Sequence, residues 1–482
     1  MTGLQNIPAE LIEAVCHQLD VLSIVRLTQV SRQFWRIFGQ SSALQYKVQL
    51  ELAGLRDVCG KAGSASRLEL LKAYQATWTT FECTRSTKTT VNMAGESWEL
   101  VGNVLATYSS EKGFFFHRIP SALRQVPPAE WCITDLPVGV KDFSLDLSQD
   151  LLLVVELTST STVVHLLSLK TGTPHPLARN PHFSRDFDEP GALPEYCHCQ
   201  IRIFGEYIGV MVQSESHDQV SLFVWEWKSG VMKQDVHRDD MTSFAFLDHR
   251  MLLIGILDSF SAELRVLEIE ETRSDSEKIQ SDSFKFSFEL PAWSHHPEVA
   301  EIDMTIQTEP ATSWATDSVL DEPFTTGHAD RLFVVSFWTQ DASFLLCVRL
   351  STLLNLMEYP PADTKSRTMV WDEWGPANAR MLRIPGLPDP WVCFVHGQRC
   401  VIQISPIRCQ ILDFNPLSTW GKCILHEKTV DNCSLVFQDP VTTWAPFTLT
   451  SIETSPSAAV MLAEDGIVTV SVDEDSCTIF SV

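Results

Sequence analysis

The sequence predicts a mainly β protein with a small all-α unit at its N-terminus, and three observations carry that expectation. Apolar residues recur at helical spacing over the first fifty positions. From about Thr77 the chain turns to short runs rich in Val, Ile, Phe, Trp and Thr, broken every ten or so residues by Gly, Pro, Asp or Ser. A longer period of strand, turn and strand then runs through the rest of the chain.

In the first element Ile7, Leu11, Ile12, Val15 and Leu19 recur at steps of about four, which puts them on one helix face. Pro8 suits a first turn, where a missing N–H costs nothing, and Glu10 and Glu13 lie near the positive end of the helix dipole. Asp20 is placed to cap a second helix carrying Leu22, Ile24, Val25 and Leu27. Ser31 is placed to cap a third carrying Phe34, Trp35, Ile37 and Phe38. Three helices in so short a stretch cannot close a core unaided, so apolar surface is left for a partner.

The opening residues resemble an F-box. The parts are Ile7-Pro8-Ala9-Glu10-Leu11-Ile12-Glu13-Ala14-Val15, Leu19-Asp20, Ile24-Val25-Arg26-Leu27 and Val30-Ser31-Arg32-Gln33-Phe34-Trp35-Arg36, in the family's order and spacing over residues 4 to about 48. Cys16 stands where the family usually has a larger aliphatic residue, and Ala43-Leu44-Gln45-Tyr46 lacks the frequent Leu-Trp pair. The resemblance implies docking to a Skp-type adaptor and, through it, to a cullin–RING ubiquitin ligase. Carried over residue by residue, it assigns adaptor contacts to Ile7, Pro8, Leu11, Ile12, Ile24, Leu27 and Val30.

Residues 51–76 read as a helical spacer through Leu52, Leu55, Leu68, Leu70 and Leu71, which divides the chain into 1–50, 51–76 and a β domain at 77–482. Within that domain Phe143 to Val155 with Val163 to Gly172, and Ile201 to Val212 with Leu222 to Gly230, repeat one plan that ends in Lys-Thr-Gly or Lys-Ser-Gly. Ser243 to Ile254 with Leu264 to Ile269 follows it. Leu332 to Phe337 with Leu345 to Leu350, Trp391 to Val395 with Cys400 to Ile404, and Ala458 to Leu462 with Gly466 to Val470 fit more loosely. Such units resemble degenerate WD-type blades of a β-propeller with six or seven blades, and Trp225-Glu226 stands where a WD dipeptide is often found. A pair of β-sandwiches or a large barrel is the alternative architecture. The whole arrangement resembles fungal F-box proteins with a diverged propeller. Residues 274–283 and 297–328 are expected to be loops that leave the blades.

Composition narrows the chemistry. The chain of 482 residues carries 36 Lys and Arg against 61 Asp and Glu, a formal net charge of −25, which disfavours nucleic acid and anionic membranes as partners. Its apolar runs are far shorter than the roughly 18 to 20 residues of a membrane span, and no secretory pattern opens it. Thirteen cysteines at irregular spacings suit reduced thiols, so a cytoplasmic or nuclear location is expected.

No catalytic, cofactor or metal site is expected. Cys197-His198-Cys199 would point its side chains to opposite faces of a strand, and His295-His296 lacks a ligand context. Phosphate-loop, dinucleotide and nucleophile-elbow motifs are lacking, and the scattered acids read as solvated turns. The expected role is a substrate receptor of a Skp–cullin–F-box ligase that is not itself an enzyme. The alternatives are a propeller hydrolase or lactonase with a helical appendage, and an F-box scaffold without ubiquitin transfer. A basic client segment is favoured over a phosphorylated one on charge grounds.

Overall fold

The computed structural model describes the chain except residues 1–6, 59–61, 82–86, 94, 159, 187–196, 215–219, 259–260, 270–283, 295–301, 310–321, 328–329, 340–341, 359–365, 387–391, 417–427, 435 and 474. Five helices come first: α1 (Ala9–Gln18), α2 (Val21–Val30), α3 (Arg32–Gln40), α4 (Ser42–Leu52) and α5 (Ser64–Thr80). The capping residues act as their chemistry dictates. The Asp20 carboxylate accepts the Ser23 N–H at 2.8 Å, and the Ser31 hydroxyl accepts the Phe34 N–H at 3.3 Å. A further cap at α4, from the Ser41 hydroxyl to the Leu44 N–H at 3.1 Å, also ties α4 to α1, because the same hydroxyl donates to Glu13.

The remainder is a seven-bladed β-propeller. The first strands of the first six blades are Ser97–Val101, Asp142–Asp146, Cys197–Phe204, Met241–Phe246, Asp303–Gln307 and Val395–His396, and the sheets are antiparallel except that the fourth gains a fifth strand, Arg367–Met369, which pairs in parallel with Phe286–Glu289. The seventh blade is composite. Its inner strands Ala459–Ala463, Gly466–Val470 and Ser476–Ser481 come from the C-terminus, and Thr87–Asn92 completes it as the outermost strand, with Thr87 opposite Ser481 and Asn92 opposite Ser476. Segments from either end of the propeller domain thus close the ring by backbone hydrogen bonding.

Position within a blade explains the sequence pattern. A second strand such as Leu151–Leu157 or Leu332–Trp338 is covered by blades on both faces and is apolar almost throughout. An outermost strand such as Thr448–Glu453 is mostly half-buried or exposed. The Lys-Thr-Gly and Lys-Ser-Gly ends fall at equivalent turns after the third strands of the second and third blades, where Gly172 (φ 71°) and Gly230 (φ 78°) take the left-handed conformation. Their N–H groups donate to Ser168 O and Glu226 O, each at 2.8 Å.

Three expectations about local structure are corrected. α5 continues to Thr80, past the expected change to β structure near Thr77. The segment expected to be a loop at 297–328 contains the first strand of the fifth blade, Asp303–Gln307, and a short strand, Phe324–Thr326. Leu350 opens a helix, α6 (Leu350–Met357), which is followed by α7 (Trp371–Asn378). The expected loop at 274–283, His295-His296 and Trp391 lie outside the described residues.

Candidate functional site in the N-terminal helices

Helices α1 to α4 make a miniature core from Ile12, Cys16, Val21, Ile24, Phe34, Ile37, Leu44 and Val48. Cys16 is interior, and burial, with help from Glu13, pushes its thiol pKa up. The Lys47 ammonium donates to His17 O and Leu19 O, both at 2.6 Å, and pins the C-terminal end of α1 to α4 as a cation on orphan carbonyls.

The seven residues singled out by the resemblance divide. Ile7, Pro8, Leu11 and Val30 are exposed, and Leu27 is half-buried. Ile12 and Ile24 are 4% and 1% exposed, so they support the unit from inside and offer no contact surface in this conformation. Three residues not singled out, Val15, Leu22 and Trp35, are exposed, and with Leu11 and Val30 they lie between 58 and 74% exposed. Helical spacing groups residues on a face. It does not say which face the neighbouring helices cover.

The distribution of such residues is uneven. Among the described residues, six of the sixteen exposed large apolar side chains fall within the first 35 positions. Single exposed apolar residues are ordinary, whereas a concentration of them marks a contact surface.

The helices are joined to the propeller at several points. Leu68, Leu71, Tyr74 and Trp78 of α5 share one core with the sixth and seventh blades. Leu55–Asp57 pairs antiparallel with Phe324–Thr326, which is inserted between the first two strands of the fifth blade. Tyr46 donates to Pro323 O at 2.6 Å, Tyr74 donates to Glu464 O at 2.9 Å, and Asn415 donates to Leu52 O at 2.8 Å.

The centre of the join is the buried Arg124, whose guanidinium meets Asp465 and Glu464 at 2.8 Å, Glu322 at 2.5 Å and the Phe324 carbonyl at 2.9 Å. Burial alone would raise Glu464, yet Arg124, His396 and the Thr326 N–H together hold it well below the usual carboxylate range. Burial with the neighbouring Glu464 charge pushes Asp465 up to about 6, and burial pushes His396 down to about 4. Arg124, Glu464 and Asp465 lie in turns, whereas Thr326 and His396 end short strands.

Elsewhere, Cys197 is buried and His198 exposed along the first strand of the third blade. Among the described residues no group of three His, Cys, Asp or Glu side chains is arranged to hold a metal, and no helix is long and apolar enough to cross a membrane.

No family model and no curated protein matches the sequence. Among solved structures the chain is similar to the WD40 domain of coronin from Toxoplasma gondii, at 8% identity and a TM-score of 0.40, covering 83% of this chain and 86% of that one. It is also similar to the Nup133 β-propeller domain of Vanderwaltozyma polyspora, at 9% identity and a TM-score of 0.35, covering 82% and 97%. A third likeness, to prolyl oligopeptidase B from Galerina marginata, has 9% identity and a TM-score of 0.28, and covers 83% of this chain but 43% of that one. The propeller itself is defined by the strand pairing described above.

Proposed function

We propose that this chain is a non-catalytic substrate receptor, in which the N-terminal helices dock a Skp-type adaptor of a cullin–RING ubiquitin ligase and the propeller holds a client protein. The observation that carries the reading is the concentration of exposed apolar side chains on the helices that resemble an F-box, with Leu11, Leu22 and Trp35 prominent among them. Burying such side chains against a partner is worth about 1.5–3 kcal/mol each. Transfer of ubiquitin would belong to other subunits, and this chain would supply proximity and effective concentration.

The test is capture of a purified Skp-type adaptor by the full chain. Leu11→Asp with Trp35→Asp should abolish capture while the circular dichroism spectrum and melting temperature stay near those of the parent, because both residues lie outside the core. Undiminished capture by the double variant would overturn the reading. Ile12→Asp is the wrong probe, since it would break the core of the helical unit.

A further inference from the structure

Arg124 gathers three carboxylates from two separate stretches of chain: Glu322, just before the strand Phe324–Thr326, and the consecutive Glu464 and Asp465 in the turn between the first two strands of the seventh blade. Glu464 Oε2 and Asp465 Oδ2 each lie 2.8 Å from the same nitrogen, Nη1, so they are close neighbours. Their side chains are 14% and 0% exposed, and one guanidinium cannot balance three negative charges where water screens so little. Carboxyl groups crowded in this way keep a proton between them.

The hydrogen bonds locate that proton. Glu464 Oε1 accepts the Thr326 N–H at 2.8 Å and the Thr325 hydroxyl at 3.0 Å, which favours its charged form. Asp465 Oδ2 accepts from Arg124 at 2.8 Å and from the Asn103 amide at 2.5 Å, but Oδ1 meets no donor among the described residues, so Asp465 is the acid that holds the proton when one is bound. The other groups that face the pair do not change this. Arg399 is matched to Asp413 at 3.1 Å and Arg56 acts on Glu464, while burial keeps Tyr74 and His396 in their neutral forms.

Glu464 also fastens the helical unit to the ring. Thr325 and Thr326 belong to the strand that pairs with Leu55–Asp57, and Tyr74 of α5 donates to the Glu464 carbonyl at 2.9 Å. We propose that this cluster is a pH-sensitive latch: with a proton on Asp465 the latch is closed, and loss of that proton turns Glu464 away from Arg124, releases Thr325 and Thr326, and loosens their pairing with Leu55–Asp57. Glu464 has somewhere to go, because it lines a cleft, open to solvent, together with Gly54, Leu55, His396 and Arg399. The latch belongs to the joint itself and does not depend on what the helices dock.

Burial sets the direction of the response. Burial, reinforced by the Glu464 charge, pushes Asp465 up to about 6 against the pull of Arg124, and burial raises Glu322 as well. A folded pKa above the ordinary value of about 3.9 stabilises the closed latch at acidic pH, and that stabilisation is lost as pH rises through 6. The helices are therefore held tightly in acid and more loosely near neutrality.

The experiment is hydrogen–deuterium exchange of the full chain, read by mass spectrometry at about pH 5 and pH 8 and corrected for the intrinsic effect of pH on amide exchange. Protection of the amides of Leu55–Asp57 and Phe324–Thr326 should fall about tenfold more between those pH values in the parent than in Asp465→Asn, whose side chain is neutral throughout. His396 titrates alike in both chains, so the comparison cancels it. Amides of Gly466–Val470, inside the seventh blade, should show no such difference, which separates a local opening from a general loosening of the ring. Glu464→Gln removes the like charge and should flatten the response in the same way, so a poorly folding Asp465→Asn leaves the test intact. An equal change in the parent and the variants, or a difference that Gly466–Val470 shares, would overturn the latch. Adaptor capture is measured apart from exchange, so neither result decides the other.

Discussion

Arg124 is buried and surrounded by three carboxylates, and its removal would leave them uncompensated. Arg124→Met is expected to cost about 3–5 kcal/mol in a urea melt, whereas Lys228→Met, which breaks the exposed pair with Glu206, should cost about 0.5 kcal/mol or less. His396 gives a pH signature. Its folded pKa of about 4 lies below the ordinary 6.5, so the unfolded chain takes up the proton first. Its stabilising contribution is complete above pH 6.5 and is lost as pH falls toward 4, a change of about 3 kcal/mol. Asp465 runs the other way: with a folded pKa of about 6 it favours the folded state at low pH, and that contribution is lost as pH rises through 6. Relative to its own value at pH 7, His396→Gln should therefore lose less stability than the parent at pH 4.5, and equal losses would refute the assignment.

At the scale of elements, α5 belongs energetically to the propeller. Leu71 is fully buried in the core shared with the last blades, so Leu71→Ala should destabilise by about 2–5 kcal/mol. A fragment that starts at Ser64 should melt cooperatively, while one that starts at Thr77 should aggregate or melt earlier, because it uncovers the surface beneath Leu68, Leu71 and Tyr74; equal melting temperatures would show α5 to be dispensable. The same comparison marks how far local sequence could be read. The caps at Asp20 and Ser31 depend on neighbours three residues away and were legible. The apolar second strands were legible because burial on both faces leaves a continuous run. Asp303–Gln307 was not, since Met304 and Ile306 alone are apolar within an acidic stretch. Nor was α6, where Leu350, Leu353 and Met357 settle on the propeller and the run reads equally well as a strand.

For the whole molecule, a count of six or seven blades was legible from the repeat, and the manner of closure was not. Pairing of Thr87–Asn92 with Ser476–Ser481 joins segments about 400 residues apart, a relation no local pattern encodes. The cluster around Arg124 was equally invisible, because it arises where segments distant in sequence converge. Deleting residues 87–92 should leave Ser476–Ser481 as an open edge and yield oligomers in size-exclusion chromatography with light scattering, together with a broadened thermal transition. A monomer with unchanged melting would show that the ring closes without that strand.

The composite last blade also sets a timetable. During synthesis Thr87–Asn92 leaves the ribosome early and must wait for Ser476–Ser481, which at about 5–20 residues per second is a delay of roughly 20–80 s. Through that interval α5 has no sixth or seventh blade to cover it, whereas the buried core residues of α1 to α4 all lie between Ile12 and Val48 and await no later segment. The helices with the exposed apolar face are thus ready for company long before the ring exists. A partner that meets the nascent chain could be in place first, and the propeller would then be built onto an assembly already begun.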